Sequence, residues 1–211
     1  NVYLGNLGNA SKSILFAPNL QPGWDPGLHA FDIYKWNLRS IRFFNTTRPY
    51  SELNYLLGSK AEQIIEVMYT QNIKPNWNGS FQYKFINSPG FFQNQNTNHT
   101  NLLFTSWYES NSKRYHNYVI VLTNHLQSAE NGGIKNDQDY LSNTEVYKNR
   151  IDIPTVIGLE DYSKNFFSTE IHTGTRYREF TALLRQQFDL GKKDSLVTDS
   201  TVIPLFYPRL R

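Results

Sequence analysis

The stretch YSELNYLLGSKAEQIIEVMYTQNIKPNWNGSFQYKFI, residues 50–86, decides the fold because it reads as three consecutive β-strands. In the third strand, an aromatic side chain stands at every second position from Phe81 to Phe85, and a polar side chain stands between each pair. Successive side chains of a strand point to opposite faces. The pattern therefore predicts a sheet with one apolar face and one polar face, with turns near residues 58–60 and at Pro75.

Two classes of all-β protein have such a sheet. In a soluble sandwich, the polar face meets water and the apolar face packs on a second sheet. In a transmembrane barrel, the apolar face meets lipid and the polar face lines a watery interior. The runs here are about 8 to 11 residues long, which is the span that a tilted strand needs to cross a bilayer, whereas soluble strands are nearer 5 or 6. Length therefore favours the membrane barrel.

Composition limits the other possibilities. The 211 residues suffice for one domain, and a net charge of +3 without a basic run argues against nucleic acid as a partner. Cysteine is absent, so disulfides and thiolate metal sites are excluded. No apolar run approaches the roughly 18 residues of a transmembrane helix. The negative mean hydropathy of −0.56 still allows a membrane barrel, whose signal per strand is weak.

The rest of the chain predicts further strands between irregular segments. Residues 1–38 carry Gly, Asn and Pro at short intervals and predict an irregular N-terminal segment that tucks against or into the rest of the chain. Both ends of the chain read as cut, so residues 39–211 are interpreted as the first strands and loops of a larger barrel. Beyond the three strands above, the predicted strands are residues 41–46, 100–109, 115–125, 166–173 and 177–190, followed by a polar loop at 191–204.

The predicted connections sort by length. The short ones, at residues 74–75, 110–113 and 174–175, fall on one side of the sheet. The long ones fall on the other side, with the turn at 58–60 as the exception; they are residues 87–99, 127–165 and 191–204. Outer-membrane barrels have short periplasmic turns and long extracellular loops. The sorting therefore favours a barrel with its long loops outside the cell.

Several short motifs also resemble a known family. They are RPYSE at 48–52, GSKAEQ at 58–63, YTQN at 69–72, SPG at 88–90, KRY at 113–115, ENGG at 130–133 and FDLG at 188–191. Together they resemble the β-barrel porin family of Bacteroidota outer membranes. The resemblance implies an antiparallel, up-and-down transmembrane β-barrel in the bacterial outer membrane that passes small hydrophilic solutes by passive diffusion, with outer-membrane lipid and other outer-membrane proteins as partners.

The polar face supplies the candidate site. Its charged and amide side chains would share one lumen, where acids opposite Lys84 would set a transverse field across a channel. The alternative is that these residues pair with one another inside a plugged or packed barrel. The candidate lumen lining consists of Glu52, Asn54, Glu62, Glu66, Asn78, Gln82 and Lys84, with Arg39 and Arg42 near the mouth.

No pattern predicts catalysis or a cofactor. The five histidines form no metal-binding spacing, and no G-x-S-x-G motif occurs. Ser106 and His116 could be nominated as a pair, but flanking strands bring two such residues together by chance. Two other functions stay open: an accessory barrel within a larger outer-membrane complex, and a soluble β-sandwich carbohydrate-binding module. Dependence on detergent separates the soluble module from both barrels.

Overall fold

The computed structural model describes residues 2–3, 5–16, 22–25, 27–135, 152–157, 171–198 and 201–210. Across these residues the protein is all-β and antiparallel, with short helical turns at Leu38–Ser40 and Ser59–Ala61. Over the same ranges, no helix has the length and apolar character needed to cross a membrane.

The main element is a six-stranded antiparallel sheet in which each strand pairs with the next one along the chain. Its strands are β3 (Tyr50–Leu57), β4 (Gln63–Lys74), β5 (Trp77–Ser88), β6 (Thr97–Glu109), β7 (Tyr115–Ala129) and β8 (Gly174–Phe188). Two short strands, β1 (Val2–Tyr3) and β2 (Ser11–Lys12), pair with each other, and so do β9 (Leu190–Thr198) and β10 (Thr201–Leu210). The sheet is open, because no strand in the described ranges pairs with the outer edges of β3 and β8.

The three strands predicted in residues 50–86 are confirmed, and β4 to β7 extend beyond the predicted bounds. Four predictions on the described residues were wrong. The sequence pattern predicts the second strand at residues 61–71, but Ala61 belongs to a turn and β4 runs from Gln63 to Lys74. Residues 41–46 form no strand, residues 174–175 begin β8, and residues 191–204 form most of the β9–β10 pair. The predicted strand at 166–173 and the loop at 127–165 lie largely outside the described residues, although β7 runs on to Ala129.

The connections define two rims of the sheet. The short-turn rim carries residues 75–76 and 110–114. The long-loop rim carries residues 58–62 and 89–96, together with the described residues 130–135 after β7 and 171–173 before β8. The predicted short connections at 74–75 and 110–113 and the predicted long connection at 87–99 correspond to observed connections on the expected rims. The predicted connections at 174–175 and 191–204 were wrong, because these residues form strands.

The register gives the sheet an outer and an inner face. Phe81 lies between Tyr69 of β4 and Phe104 of β6, and Tyr83 lies between Val67 and Leu102. These side chains belong to the outer face, which is apolar and open: Phe81 and Phe104 are each 43% exposed. At its short-turn end, the outer face carries aromatic side chains on four neighbouring strands, where Trp77 pairs with Tyr108, Tyr115 pairs with Phe188, and the rings of Tyr108 and Tyr115 lie 6.5 Å apart.

The inner face is polar and is covered by the N-terminal segment, which comprises the described residues between 5 and 49. The segment begins at the long-loop rim, where Asn6 donates to Ser88 at 2.7 Å and Ser128 donates to Asn9 at 2.6 Å. It ends at the short-turn rim, where the indole of Trp107 donates to the backbone of Phe44. The segment therefore runs along the whole height of the inner face.

Side chains of the sheet form hydrogen bonds with backbone groups of the N-terminal segment, which has almost no regular structure of its own. Thr97 donates to the carbonyl of Leu7, and His99 bonds to that of Gly8 at 2.6 Å. Gly8 has a φ of +86°, and a Cβ there would lie 2.5 Å from the Thr97 hydroxyl, so only glycine fits. Buried backbone polar groups need partners, and the polar inner face supplies them.

Two apolar clusters complete the contact between segment and sheet. Leu103, Ile120 and Leu122 of the inner face pack with Trp36 and Ile41 of the segment. Nearer the long-loop rim, buried Tyr34 of the segment packs with Ile86 and Leu126. These clusters place the small core between the segment and the sheet.

Candidate functional site

One row of polar side chains crosses the inner face at mid-height, from β3 to β8. The cross-strand register pairs each member with the next. The row consists of Asn54, Glu66, Lys84, Asn101, Asn124 and Glu179. We call it the central row, and the N-terminal segment crosses its middle.

The crossing is fixed by two buried asparagines. Asn101 donates to the carbonyl of Tyr34, and Asn124 bonds to both backbone groups of Trp36: its Oδ1 accepts from the N–H and its Nδ2 donates to the C=O, each at 3.0 Å. This pair of bonds imitates the pairing of a neighbouring strand. The two asparagines therefore hold residues 34–36 against the sheet.

A first cavity of about 170 Å³ lies on the β3 side of this crossing. Lys84 Nζ and Glu66 Oε1 form an ion pair at 3.1 Å, and both side chains are partly open to the solvent. Glu52 accepts hydrogen bonds from Asn54 at 2.8 Å and from Tyr50 at 3.0 Å. Two carboxylates against one ammonium leave this cavity with an excess of negative charge.

A second cavity, of about 370 Å³, lies on the β8 side. Here Asp32 of the segment accepts from Lys35 at 2.5 Å and bonds His29 at 2.7 Å. Glu179 of the central row accepts from Tyr177 at 2.9 Å. Trp36 lines both cavities, so the segment separates two polar spaces on one face.

The predicted site residues divide into two groups. The side chains that line the first cavity are Glu52, Asn54, Glu66, Gln82 and Lys84.

The other four lie elsewhere. Glu62 accepts from Ser88 at 2.9 Å and from the backbone of Leu7, so it fixes the start of the segment. Asn78 is buried and bonded to its neighbours on β4. Arg39 and Arg42 are exposed on the segment itself.

Sequence reasoning missed the β6–β8 half of the central row. Asn101, Asn124 and Glu179 follow the same period of two as Lys84, so their common face could be read from the strands. Their alignment in one row depends on the register between strands, which the period of two does not set. Nothing in the sequence around Trp36 indicates that its backbone pairs with Asn124.

The geometry of Ser106 and His116 excludes the nominated pair. Ser106 lies on the outer face, where it accepts from the indole of Trp77 at 3.0 Å. His116 lies on the inner face, 3.6 Å from the carboxylate of Asp189. In the part of the chain that the structure describes, no three His, Asp or Glu side chains gather in a group that could hold a metal ion.

The second cavity predicts a pH dependence. Hydrogen bonds to Asp32 and Asp25, together with their charges, raise the pKa of the His29 imidazole above its ordinary 6.5. The protonated ring donates to both carboxylates, at 2.7 and 2.9 Å, so this bridge is complete below pH 6.5 and is lost as the pH rises through the raised pKa. We expect hydrogen exchange at the amides of Gly27 and Asp32, corrected for intrinsic rate, to lose protection as pH rises. The His29→Ala variant should show no such change, and equal protection across the titration in the intact protein would contradict the prediction.

The described strands thus define an all-β protein whose main element is an antiparallel meander with an open apolar face and a covered polar face. The family model described as "Putative porin" matches residues 1–206, and the chain therefore belongs to this family. Searches of the curated proteins and of the solved structures returned no match.

Proposed function

We propose that the protein is a bacterial outer-membrane β-barrel channel through which small hydrophilic solutes diffuse, without bond chemistry and without a cofactor. The observation that carries this proposal is the division of one sheet into an exposed apolar face and a polar face with two charged cavities. Membership of the porin family supports it. The six strands of the main sheet form part of the barrel wall, and further strands close it.

The outer face has the properties of a lipid-facing wall. Strands β4 to β8 have 12 to 15 residues, more than the 9–11 that a tilted strand needs to cross a bilayer. The aromatic side chains at the short-turn end match an interfacial girdle, and the long-loop rim matches the extracellular side. The same exposed apolar face disfavours the soluble carbohydrate-binding module, in which a second sheet would cover it.

The two cavities are the proposed solute path. Carboxylates outnumber cationic side chains in both cavities. In the first, Glu52 and Glu66 face Lys84, and in the second, three carboxylates face the ammonium of Lys35 and the imidazole of His29. These three carboxylates are Asp25, Asp32 and Glu179. A ring of carboxylates favours cations in a narrow pore. The channel is therefore proposed to be cation-selective.

Reversal potentials in planar bilayers test this proposal. The E52Q/E66Q variant of the full-length protein should still form channels, but its reversal potential in a salt gradient should shift toward that of a non-selective pore. The control is D194N, which removes an exposed carboxylate from β9, outside the main sheet. Channels whose selectivity is the same in all three proteins would contradict the proposed path.

An accessory barrel within a larger outer-membrane complex is the second candidate. The observation that favours it is the N-terminal segment, which fills the middle of the inner face and is bonded there by Asn101 and Asn124. A barrel that serves only as a structural subunit has no need of an open lumen. Absence of conductance from the intact and the segment-deleted protein, with outer-membrane proteins that co-purify, would support this function over diffusion.

A further inference from the structure

At the long-loop end of β7 and β8, the outer face changes from apolar to basic. Along β8, the outward side chains Leu184, Ala182 and Phe180 are followed by Arg178 and Arg176. The register pairs Arg178 with His125 of β7, and Arg176 with Gln127. We call His125, Arg176 and Arg178 the basic cluster. It lies directly beyond the apolar band, on the same face.

The hydrogen bonds within the cluster leave most of its donors available. Arg178 Nε donates to His125 Nε2 at 3.2 Å, and Gln127 donates to the same nitrogen at 2.6 Å. His125 Nε2 therefore accepts, and this positions the Arg178 guanidinium with both terminal amino groups unbonded to any described residue. One terminal nitrogen of Arg176 donates a hydrogen bond to the carbonyl of Ile171. Both arginines are exposed, and neither forms an ion pair within the described ranges.

The height of the cluster matches a membrane interface. Phe188, in the aromatic group at the short-turn end, stands ten residues from Arg178 on the same strand and the same face. Ten residues of strand span about 33 Å, which at a tilt of 35–45° corresponds to a height of about 23–27 Å. The apolar band of outer-membrane barrels is about 25 Å tall. If the aromatic group marks one interface, the basic cluster lies at the other.

We propose that the basic cluster binds the phosphate of an anionic lipid headgroup in the outer leaflet of the outer membrane. This inference rests on the proposed membrane placement, with the long-loop rim outside. Guanidinium groups match phosphate oxygens in geometry and charge. The two arginines form no ion pair with any residue that the structure describes, and at the edge of a lipid-facing wall they meet such a headgroup from the side. The apolar side chains below, from Phe180 to Leu184, contact the acyl chains of the same lipid.

A lipid-binding titration tests the proposal. The full-length protein in a neutral detergent is titrated with a fluorescent, phosphorylated lipid A, and with the same lipid after enzymatic removal of its phosphates. We expect the R176Q/R178Q variant to bind the phosphorylated lipid at least about tenfold more weakly than the intact protein, as expected for the loss of charge-assisted hydrogen bonds. The intact protein should bind the dephosphorylated lipid with a similarly reduced affinity. The matched control is R185Q, which changes an arginine on the inner face of the same strand.

The outcomes separate the possible explanations. Equal binding of the two lipids, or unchanged binding by R176Q/R178Q, would overturn the proposal. Displacement of the lipid by millimolar inorganic phosphate would indicate a site for free phosphate and would also overturn it, whereas persistence of the lipid supports it. The membrane placement is tested separately, by the heat-modifiable migration of folded barrels in detergent gels. Intact migration without phosphate-dependent binding would refute the lipid site alone, and loss of the migration itself would refute the barrel.

Discussion

A variant that lacks residues 5–46 is expected to conduct several-fold more current per channel than the intact protein. The N-terminal segment runs from the long-loop rim to the short-turn rim across the inner face, and residues 34–36 divide the central row into two cavities. Conductance rises with the open cross-section, so removal of the segment should join the two cavities into one lumen. Single-channel steps in planar bilayers measure the effect directly.

A milder variant covers the case in which the deletion fails to fold. N101L/N124L keeps the segment but removes its bonds to the backbone of Tyr34 and Trp36, and each buried backbone group left without a partner costs about 1–3 kcal/mol. The segment should then leave its place part of the time, which would appear as brief openings to the larger step. The control N117L changes an asparagine on the outer face of β7. If both variants fold and give the steps of the intact protein, the segment does not obstruct the path.

The second large effect is expected on stability. The F104R variant places a charge on the outer face halfway along β6, next to Phe81, and should destabilise the protein by about 2–4 kcal/mol, because the middle of the hydrocarbon cannot solvate the charge. The same substitution at Tyr108, four residues along the same strand and face, lies within the aromatic group and should cost about 0–1 kcal/mol. Urea unfolding in lipid vesicles measures both.

The comparison of these two variants identifies the environment of the outer face. A surface open to water would accept arginine equally at both positions, so equal costs would argue against lipid. A soluble sandwich would penalise both, since a second sheet would cover both. Only a membrane makes the cost fall steeply toward the rim.

The alternation of β3 to β5 was enough to predict the two faces of the sheet. The start of β8 could not be predicted in the same way, because Gly174 and Thr175 resemble a turn. The structure shows why glycine stands there: its φ is +151°, and a Cβ would lie 2.1 Å from the carbonyl oxygen of Ser128 on β7. Glycine permits a close approach between strands here, and sequence alone does not distinguish this use from a turn.

The candidate site was predictable only where its residues were close in sequence. The β3–β5 side of the central row came from alternation within one continuous stretch. The contact between Asn124 and Trp36 spans 88 residues, and the segment has neither a period of two nor one of 3.6 to show which surface it covers. The β9–β10 pair was missed for a related reason: Lys192, Lys193 and Asp194 suggest a loop, but pairing with a β10 rich in apolar residues makes them a strand.

The position of the N-terminal segment also bears on the order of folding. Asn6 bonds Ser88 and Asn9 bonds Ser128, so these contacts close loops of 82 and 119 residues. The segment and its partner Ser128 on β7 are thus separated by more than half of the 211 residues. Contacts so distant in sequence cost the most loop-closure entropy and slow folding. The N-terminal segment is thus expected to be among the last parts of the described chain to reach its native place.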